Sequence, residues 1–347
     1  MKSFETSLIE RMPISHNLAS TLRVLGQYRG RAELFARQTP QVLKALRQTA
    51  IIQSTESSNR IEGVVAPIKR IEALVAKKTT PKNRPEQEIA GYRDVLNTIH
   101  ANHAGMSFTP SLVLQLHRDL YQYAGHIGGA WKSSDNEITE KNPDGTTFVR
   151  FRPVPAHLTA ENMEHLHSGF QRYWSEEKID KLFLIPAYIL DFLCIHPFLD
   201  GNGRMSRLLT LLLLYHADYF VGQFVSLEKL IEDSKETYYE ALFRSSQGWH
   251  EAKHDLLPWL EYLLGILIAA YKEFEGRAGL LMTARGAKTQ RVMEVVSDLP
   301  PSFRITDVER LCPGVSRDTI RMFLSKLREE GKLQCEKRGV GAIWRKM

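Results

Sequence analysis

His196-Pro197-Phe198-Leu199-Asp200-Gly201-Asn202-Gly203-Arg204-Met205-Ser206-Arg207, set between KLFLIPAYILDFLCI (181–195) and an apolar run to His216, decides how this chain reads. Residues 181–195 are apolar nearly all round, which predicts a buried central helix. That helix must stop at His196, because a residue before proline is pushed out of the helical region. A second buried helix is predicted over Met205–His216, so the quoted stretch is a polar loop between two core helices. Glycines on both sides of Asn202 permit positive φ and close backbone approach. The next helix opens with unpaired N–H groups aimed at the loop, a geometry that binds phosphate. Arg204 and Arg207 are expected to rise from one helix face beside that anion. Asp200 is a hard oxygen ligand of the kind that ties magnesium to nucleotide phosphates. His196 carries a ring able to accept a proton near neutral pH, and Phe198 is expected to anchor the loop in the core. One His and one carboxylate do not make a zinc site, and a Walker A lysine motif is missing.

Working outward, most of the first 280 residues read as helix, with Val42, Leu43, Leu46, Ala50 and Ile51 forming one apolar face. Thr109, followed by Pro110 at the first helical position, predicts a capped helix through Tyr121, and Thr159 starts another that runs to about Trp174. Asn136–Glu140, a turn over 142–145 and Thr146–Phe151 predict a β-hairpin outside the bundle. From about Ala284 the pattern changes to three short helices, Thr289–Ser297, Ile305–Leu311 and Ser316–Glu330. A small hairpin, Lys332–Lys337 and Ala342–Arg345, follows them. The fold class is therefore mainly α: a helical bundle with a β-hairpin, plus a C-terminal winged helix-turn-helix, the boundary falling within Tyr271–Ala287.

The chain has 347 residues, 43% hydrophobic and 25% charged, which is globular rather than disordered or fibrous. Its formal charge is +6, and residues 285–347 hold 14 Lys and Arg against 8 Asp and Glu, a surplus as large as the whole. Such a tail invites DNA as a partner, with Arg317, Arg321 and Arg328 on the third helix and Lys337 and Arg338 on the wing meeting phosphates. The segment MKSFETSLIERM lacks the apolar run of a secretory signal. Leu208–Tyr215 and Tyr262–Tyr271 are too short to span a bilayer, so no membrane partner is expected. Cys194, Cys312 and Cys335 follow no metal-ligand spacing and are odd in number, which suits reduced thiols and a cytoplasmic location.

HPFLDGNGRMSR resembles the signature of the Fic family, H-x-F-x-[D/E]-G-N-G-R-x-x-R, at every specified position. The resemblance implies a Fic helical bundle and transfer of AMP from ATP, with Mg²⁺, onto a Ser, Thr or Tyr hydroxyl of a target protein or of the chain itself. It implies that His196 deprotonates the hydroxyl and Asp200 holds Mg²⁺, while Gly201, Asn202 and Gly203 cradle the α- and β-phosphates. Arg204 would then bind the β-phosphate and Arg207 the γ-phosphate. Gly203 stands where the related Doc kinases, which pass on the γ-phosphate, usually carry lysine. Gly128–Trp131 (GGAW), the hairpin and Arg152-Pro153-Val154-Pro155 resemble the region of the family's flap, which pairs with the target as an added strand.

Ser57-Ser58-Asn59-Arg60-Ile61-Glu62-Gly63 resembles the family's inhibitory motif, [S/T]-x-x-x-E-[G/N], placed before the core as in the second structural class. This implies that Ser58 and Glu62 form a brake in which Glu62 pairs with Arg207; some relatives also use that glutamate to remove AMP. Tyr238-Tyr239 with Ala241-Leu242 resembles the lining of the adenine pocket, although Ser246-Gln247 stands where some relatives have asparagine. The expected domains are an N-terminal region (1–104) with the inhibitory motif, a catalytic core (105–270) and the winged tail (285–347). Relatives often form homodimers. Two other functions remain open on the same residues: a phosphoryl transferase, and a DNA-binding regulator whose core senses nucleotide.

Overall fold

Helices dominate the chain, in the order α1 (Lys2–Glu5), α2 (Leu8–Arg11), α3 (His16–Gln38), α4 (Pro40–Ile61), α5 (Ile68–Val75), α6 (Arg84–Asn102) and α7 (Pro110–Leu120). The hairpin β1 (Ile138–Lys141) and β2 (Thr147–Phe151) follows. Next come α8 (Thr159–Glu176), α9 (Lys181–Ile195), α10 (Asn202–His216), α11 (Leu227–Asp233), α12 (Lys235–Ser246) and α13 (Leu257–Thr283). The chain ends with α14 (Ala287–Asp298), β3 (Ser302–Arg304), α15 (Ile305–Leu311), α16 (Arg317–Glu329), β4 (Leu333–Cys335) and β5 (Ile343–Lys346). The structure, a computed structural model, describes residues 2–5, 8–38, 40–125, 128–141, 146–283, 287–312, 315–336 and 342–347. The chain divides into two compact units, Met1–Arg29 with Leu46–Lys272, and Gly30–Ala45 with Glu273–Met347.

In the first unit, α9 is buried on every side and packs between α8 and α10, the solution for a helix with no polar face. Local signals set the helix starts. Thr109 accepts from Leu112 N at 3.2 Å, Asn83 from Glu86 N at 3.0 Å and Asp180 from Leu182 N at 2.8 Å, each cap worth about 1 kcal/mol. Leu46 and Ala50 of the face predicted on α4 are buried, whereas the side chain of Val42 lies outside the described residues. Asp191, fully buried in α9, accepts from Ser3 N (3.1 Å), Ser3 Oγ (2.8 Å) and Trp249 Nε1 (2.6 Å), which ties the N-terminal helix to the core.

Three local readings need correction. The helix after the loop begins at Asn202 rather than Met205, because the Asn202 side chain closes the loop on itself and lets Gly201 act as the cap. Thr159 starts α8 as expected, its hydroxyl bonded to the Pro155 carbonyl at 3.2 Å while Leu158 takes the cap position. Helix α13 extends well beyond the predicted Tyr262–Tyr271. The strand β3 was not foreseen, since three residues are too few to display alternation.

The hairpin strands pair antiparallel, Glu140 opposite Phe148; the turn over 142–145 lies outside the described residues. In the second unit, α14, α15 and α16 accompany an antiparallel sheet of order β3-β5-β4. Val292, Phe303, Val308, Ile320, Leu324 and Trp344 form its core, and Ser316 caps α16 by accepting from Thr319 N at 3.3 Å. Among the described residues, no helix is long and apolar enough to cross a membrane.

Candidate active site

The loop between α9 and α10 is built by backbone strain and by one amide. His196 ends α9 in the left-handed conformation (φ 51°, ψ 61°), its N–H still bonded to the Phe192 carbonyl at 2.9 Å. Its Nδ1 lies 3.3 Å from the Leu193 carbonyl; a proton held there leaves Nε2 with the free lone pair. Burial pushes the ring's pKa down to about 4, so the imidazole is neutral at pH 7. Asn202 is buried and acts as a brace: its Oδ1 accepts from Phe198 N (2.9 Å) and its Nδ2 donates to Phe198 O (2.7 Å). Phe198 is fully buried and stacks on His117 at 3.6 Å.

The two loop glycines work differently. Gly201 takes φ +84°, the conformation that favours glycine. Gly203 is already helical; what matters there is close approach, since a Cβ would stand 2.1 Å from Glu62 Oε1. A carboxylate thus rests against the first turn of α10, where unpaired N–H groups and the helix dipole favour an anion. The same Oε1 accepts from Arg207 Nη2 at 2.8 Å. Arg207 is buried, and Ser58 holds the rest of it: Nε donates to Ser58 Oγ at 2.8 Å and Nη2 to the Ser58 carbonyl at 2.9 Å. Its Nη1 has no hydrogen-bond partner among the described residues.

Arg204 and Arg207 are held by different partners. Arg204 is buried, with Nη1 donating to Glu88 at 2.6 Å and Nη2 to Tyr121 Oη at 2.8 Å, so its guanidinium is engaged by α6 and by the residue that follows α7. Asp200 has a side chain 60% exposed, 3.6 Å from Arg204 and 3.9 Å from Arg84. A cleft of about 910 Å³ opens beside the loop. Its walls bring together Glu62, His196, Gly203, Tyr238 and Tyr239 with Ile138, Thr139, Phe148 and Arg150 of the hairpin. Ser58, Asp200, Gly201, Asn202, Arg204 and Arg207 lie outside that lining.

Sequence reasoning missed the residues that hold this arrangement. His117 donates from Nε2 to the Asp200 carbonyl (3.1 Å) and accepts from Gly129 N at Nδ1 (3.0 Å), which fixes its tautomer. The paired glycines of GGAW were the available signal, because a Cβ at Gly128 would meet the His117 carbonyl at 2.7 Å. Lys235 donates to the carbonyl of Ile61 at 3.0 Å, next to Glu62. Ser54 and Ser57 bond to Glu228 and Glu232 at 2.6 and 2.7 Å, fastening α4 to α11. In the C-terminal unit, Arg317 lies 3.4 Å from Glu309 and Arg321 3.8 Å from Asp318, whereas Lys337 and Arg338 lie outside the described residues.

Burial holds both His117 and His167 near pKa 4, so the folded state takes up their protons later than the unfolded chain, which does so near 6.5. Their contribution is complete above about pH 6.5 and is lost as pH falls toward 4, at about 1.4 kcal/mol per pH unit for each ring. The denaturant midpoint should therefore drop between pH 6.5 and pH 5, and drop less in His117→Asn. A midpoint independent of pH in that window would contradict the burial argument.

Residues 107–214 match the model of the Fic/DOC family. Among solved structures, the chain is similar to a Fic family protein from Desulfovibrio desulfuricans G20, at 19% identity and TM-score 0.64, covering 96% of this chain and 97% of that one. It is also similar to a Fic domain containing signaling protein from Bacteroides thetaiotaomicron (19% identity, TM-score 0.61, 74% of this chain and 96% of that one). A third likeness is to Fic-1 (residues 134–508) from C. elegans, at 18% identity and TM-score 0.59 over 77% of this chain and 73% of that one. At these identities the likeness is one of fold.

Proposed function

Because residues 107–214 are a Fic/DOC family domain, we propose that this chain transfers AMP from ATP to a Ser, Thr or Tyr hydroxyl of a protein and that Glu62 restrains it. The family commonly carries out AMP transfer or other nucleotidyl and phosphoryl transfer. The observation that carries the reading is a neutral imidazole and a helix N-terminus facing one cleft, with a carboxylate resting where an anionic phosphate would.

The target oxygen attacks the α-phosphorus, the bond to the bridging oxygen breaks and pyrophosphate leaves. The proton of the hydroxyl passes to His196 Nε2. The residues present fit a magnesium-bound triphosphate: Arg207 keeps a guanidinium nitrogen, Nη1, without a hydrogen-bond partner among the described residues, Gly203 gives close access to backbone N–H groups, and Asp200 is an exposed carboxylate. Asp200 would hold Mg²⁺, which neutralises phosphate charge when bound. Gly201 shapes the loop, and Asn202 contributes as its brace. Arg204 acts through Glu88 and Tyr121 on the same turn, and Tyr238 and Tyr239 supply aromatic surface for the base. Glu62 occupies both Arg207 and the turn of α10, so bound triphosphate must displace it.

The test is isotopic. With α-labelled ATP the label should appear on protein, and with γ-labelled ATP it should leave as pyrophosphate. Label retained only from the γ-position would assign phosphoryl transfer instead.

A further inference from the structure

Lys132 is a buried cation that the reaction above does not use. Its side chain is 4% exposed. Among the described residues its ammonium forms no ion pair and donates instead to Asn136 Oδ1 (2.7 Å) and to the carbonyl of Ile195 (3.1 Å). Burial pushes the ammonium's pKa down to about 8, and Asp135 only partly offsets it; a buried charge held without an ion pair is costly, so a position that keeps one is answering some other demand. The demand is local. Ile195 is the last residue of α9, where carbonyls lack intrahelical donors and the dipole is negative.

The rest of the segment 132–136 grips the same strand of backbone. Lys132 N donates to the Pro197 carbonyl at 2.8 Å, and Asn136 Nδ2 to the Phe198 carbonyl at 3.0 Å, with the His196 carbonyl at 3.5 Å. Carbonyls from 195 to 198 are thus taken up by one short segment, while His196 sits among them in a conformation that non-glycine residues seldom adopt. That grip adds to the Asn202 brace in holding the end of α9 left-handed at a histidine.

We infer that Lys132, assisted by Asn136, is a positioning residue for the transfer: it holds the backbone of His196 so that the ring stays on the cleft wall, and it places a positive charge beside that ring. The inference rests on His196 being the proton acceptor. Burial is the largest influence on the imidazole; of the charged groups acting on it, Lys132 disfavours protonation, and Glu62 and Asp200 favour it. Removing the ammonium therefore loosens the backbone and makes the ring easier to protonate.

The experiment uses the full chain carrying Glu62→Gly, and reads both turnover and the NMR titration of the His196 imidazole. Lys132→Met should lower kcat by about tenfold or more, as misplaced catalytic groups do, with KM for ATP changed less than threefold. It should also move the His196 midpoint upward, whereas Lys132→Arg should keep the midpoint low. Asn136→Ala removes the brace and leaves the charge, so kcat should fall with the midpoint unmoved; this variant decides the matter should Lys132→Met not fold. An unchanged kcat in Asn136→Ala, or a Lys132→Met protein whose His196 midpoint stays put, overturns the inference. If the parent shows no AMP transfer at all, the proposed function fails, and the NMR midpoint still decides whether Lys132 governs the ring.

Discussion

Replacing His196 by alanine should lower AMP transfer by about 10²–10⁴-fold, the range over which a positioned general base accelerates proton transfer. ATP binding should change little, because in the proposed reaction the imidazole takes the proton of the hydroxyl and holds no phosphate. Alanine introduces a second effect, since it tolerates the left-handed backbone at this position poorly. His196→Asn is the cleaner variant: asparagine accepts that conformation and can donate to the Leu193 carbonyl as Nδ1 does, but it cannot take up a proton. Equal losses in the two variants, with melting temperatures close to the parent, would assign the loss to proton acceptance. Asparagine retaining more than a tenth of the parent rate would remove His196 from that role. The ring's low pKa adds a signature: in the free enzyme the acid limb of kcat/KM should lie well below the ordinary histidine value of 6.5.

The second large effect runs the other way. Glu62→Gly should raise transfer by about tenfold to a hundredfold, since a charge-assisted hydrogen bond of this kind is worth about 1.5–3 kcal/mol and triphosphate must break it. Glu62→Gln separates charge from shape and should fall between the parent and the glycine variant. The gain has a cost in the absence of nucleotide. Arg207 is buried, and without Glu62 its guanidinium loses its carboxylate partner and keeps neutral ones, chiefly the hydroxyl and carbonyl of Ser58. The variant should therefore melt earlier than the parent when empty and show the larger upward shift on adding Mg-ATP. Measured with α-labelled ATP and a melting series, an unchanged rate together with an unchanged shift would dismiss Glu62 as a restraint.

Both predictions rest on groups whose neighbourhood was unevenly legible. The twelve residues from His196 to Arg207 announce a loop between core helices, because the all-round apolarity of 181–195 and the following proline are local facts. Thr109 and Ser316 announce helix starts for the same reason: a cap bonds to an N–H three residues away. The destination of Arg204 was not legible. Helical spacing placed it on a face with Arg207, but the acid that takes it, Glu88, lies 116 residues earlier in the chain and on another helix. Lys132 was equally silent, since nothing in GGAWK says that its ammonium will meet the end of a helix 63 residues on.

Periodicity, caps and the proline at 197 thus determined by themselves which segments are helical, where the central pair breaks and which side chains crowd the break, because each depends on contacts within about one helical turn. The resemblance already implied Glu62 on Arg207; tertiary structure alone decided the other polar meetings: Glu62 against Gly203, Arg204 on Glu88, Asp191 on Ser3, Lys132 on the last carbonyl of α9. The physical reason is range. A buried charge settles on whichever donor or acceptor the packed helices bring within about 3 Å, and that choice is made by how the helices pack, not by the residues beside it in the chain.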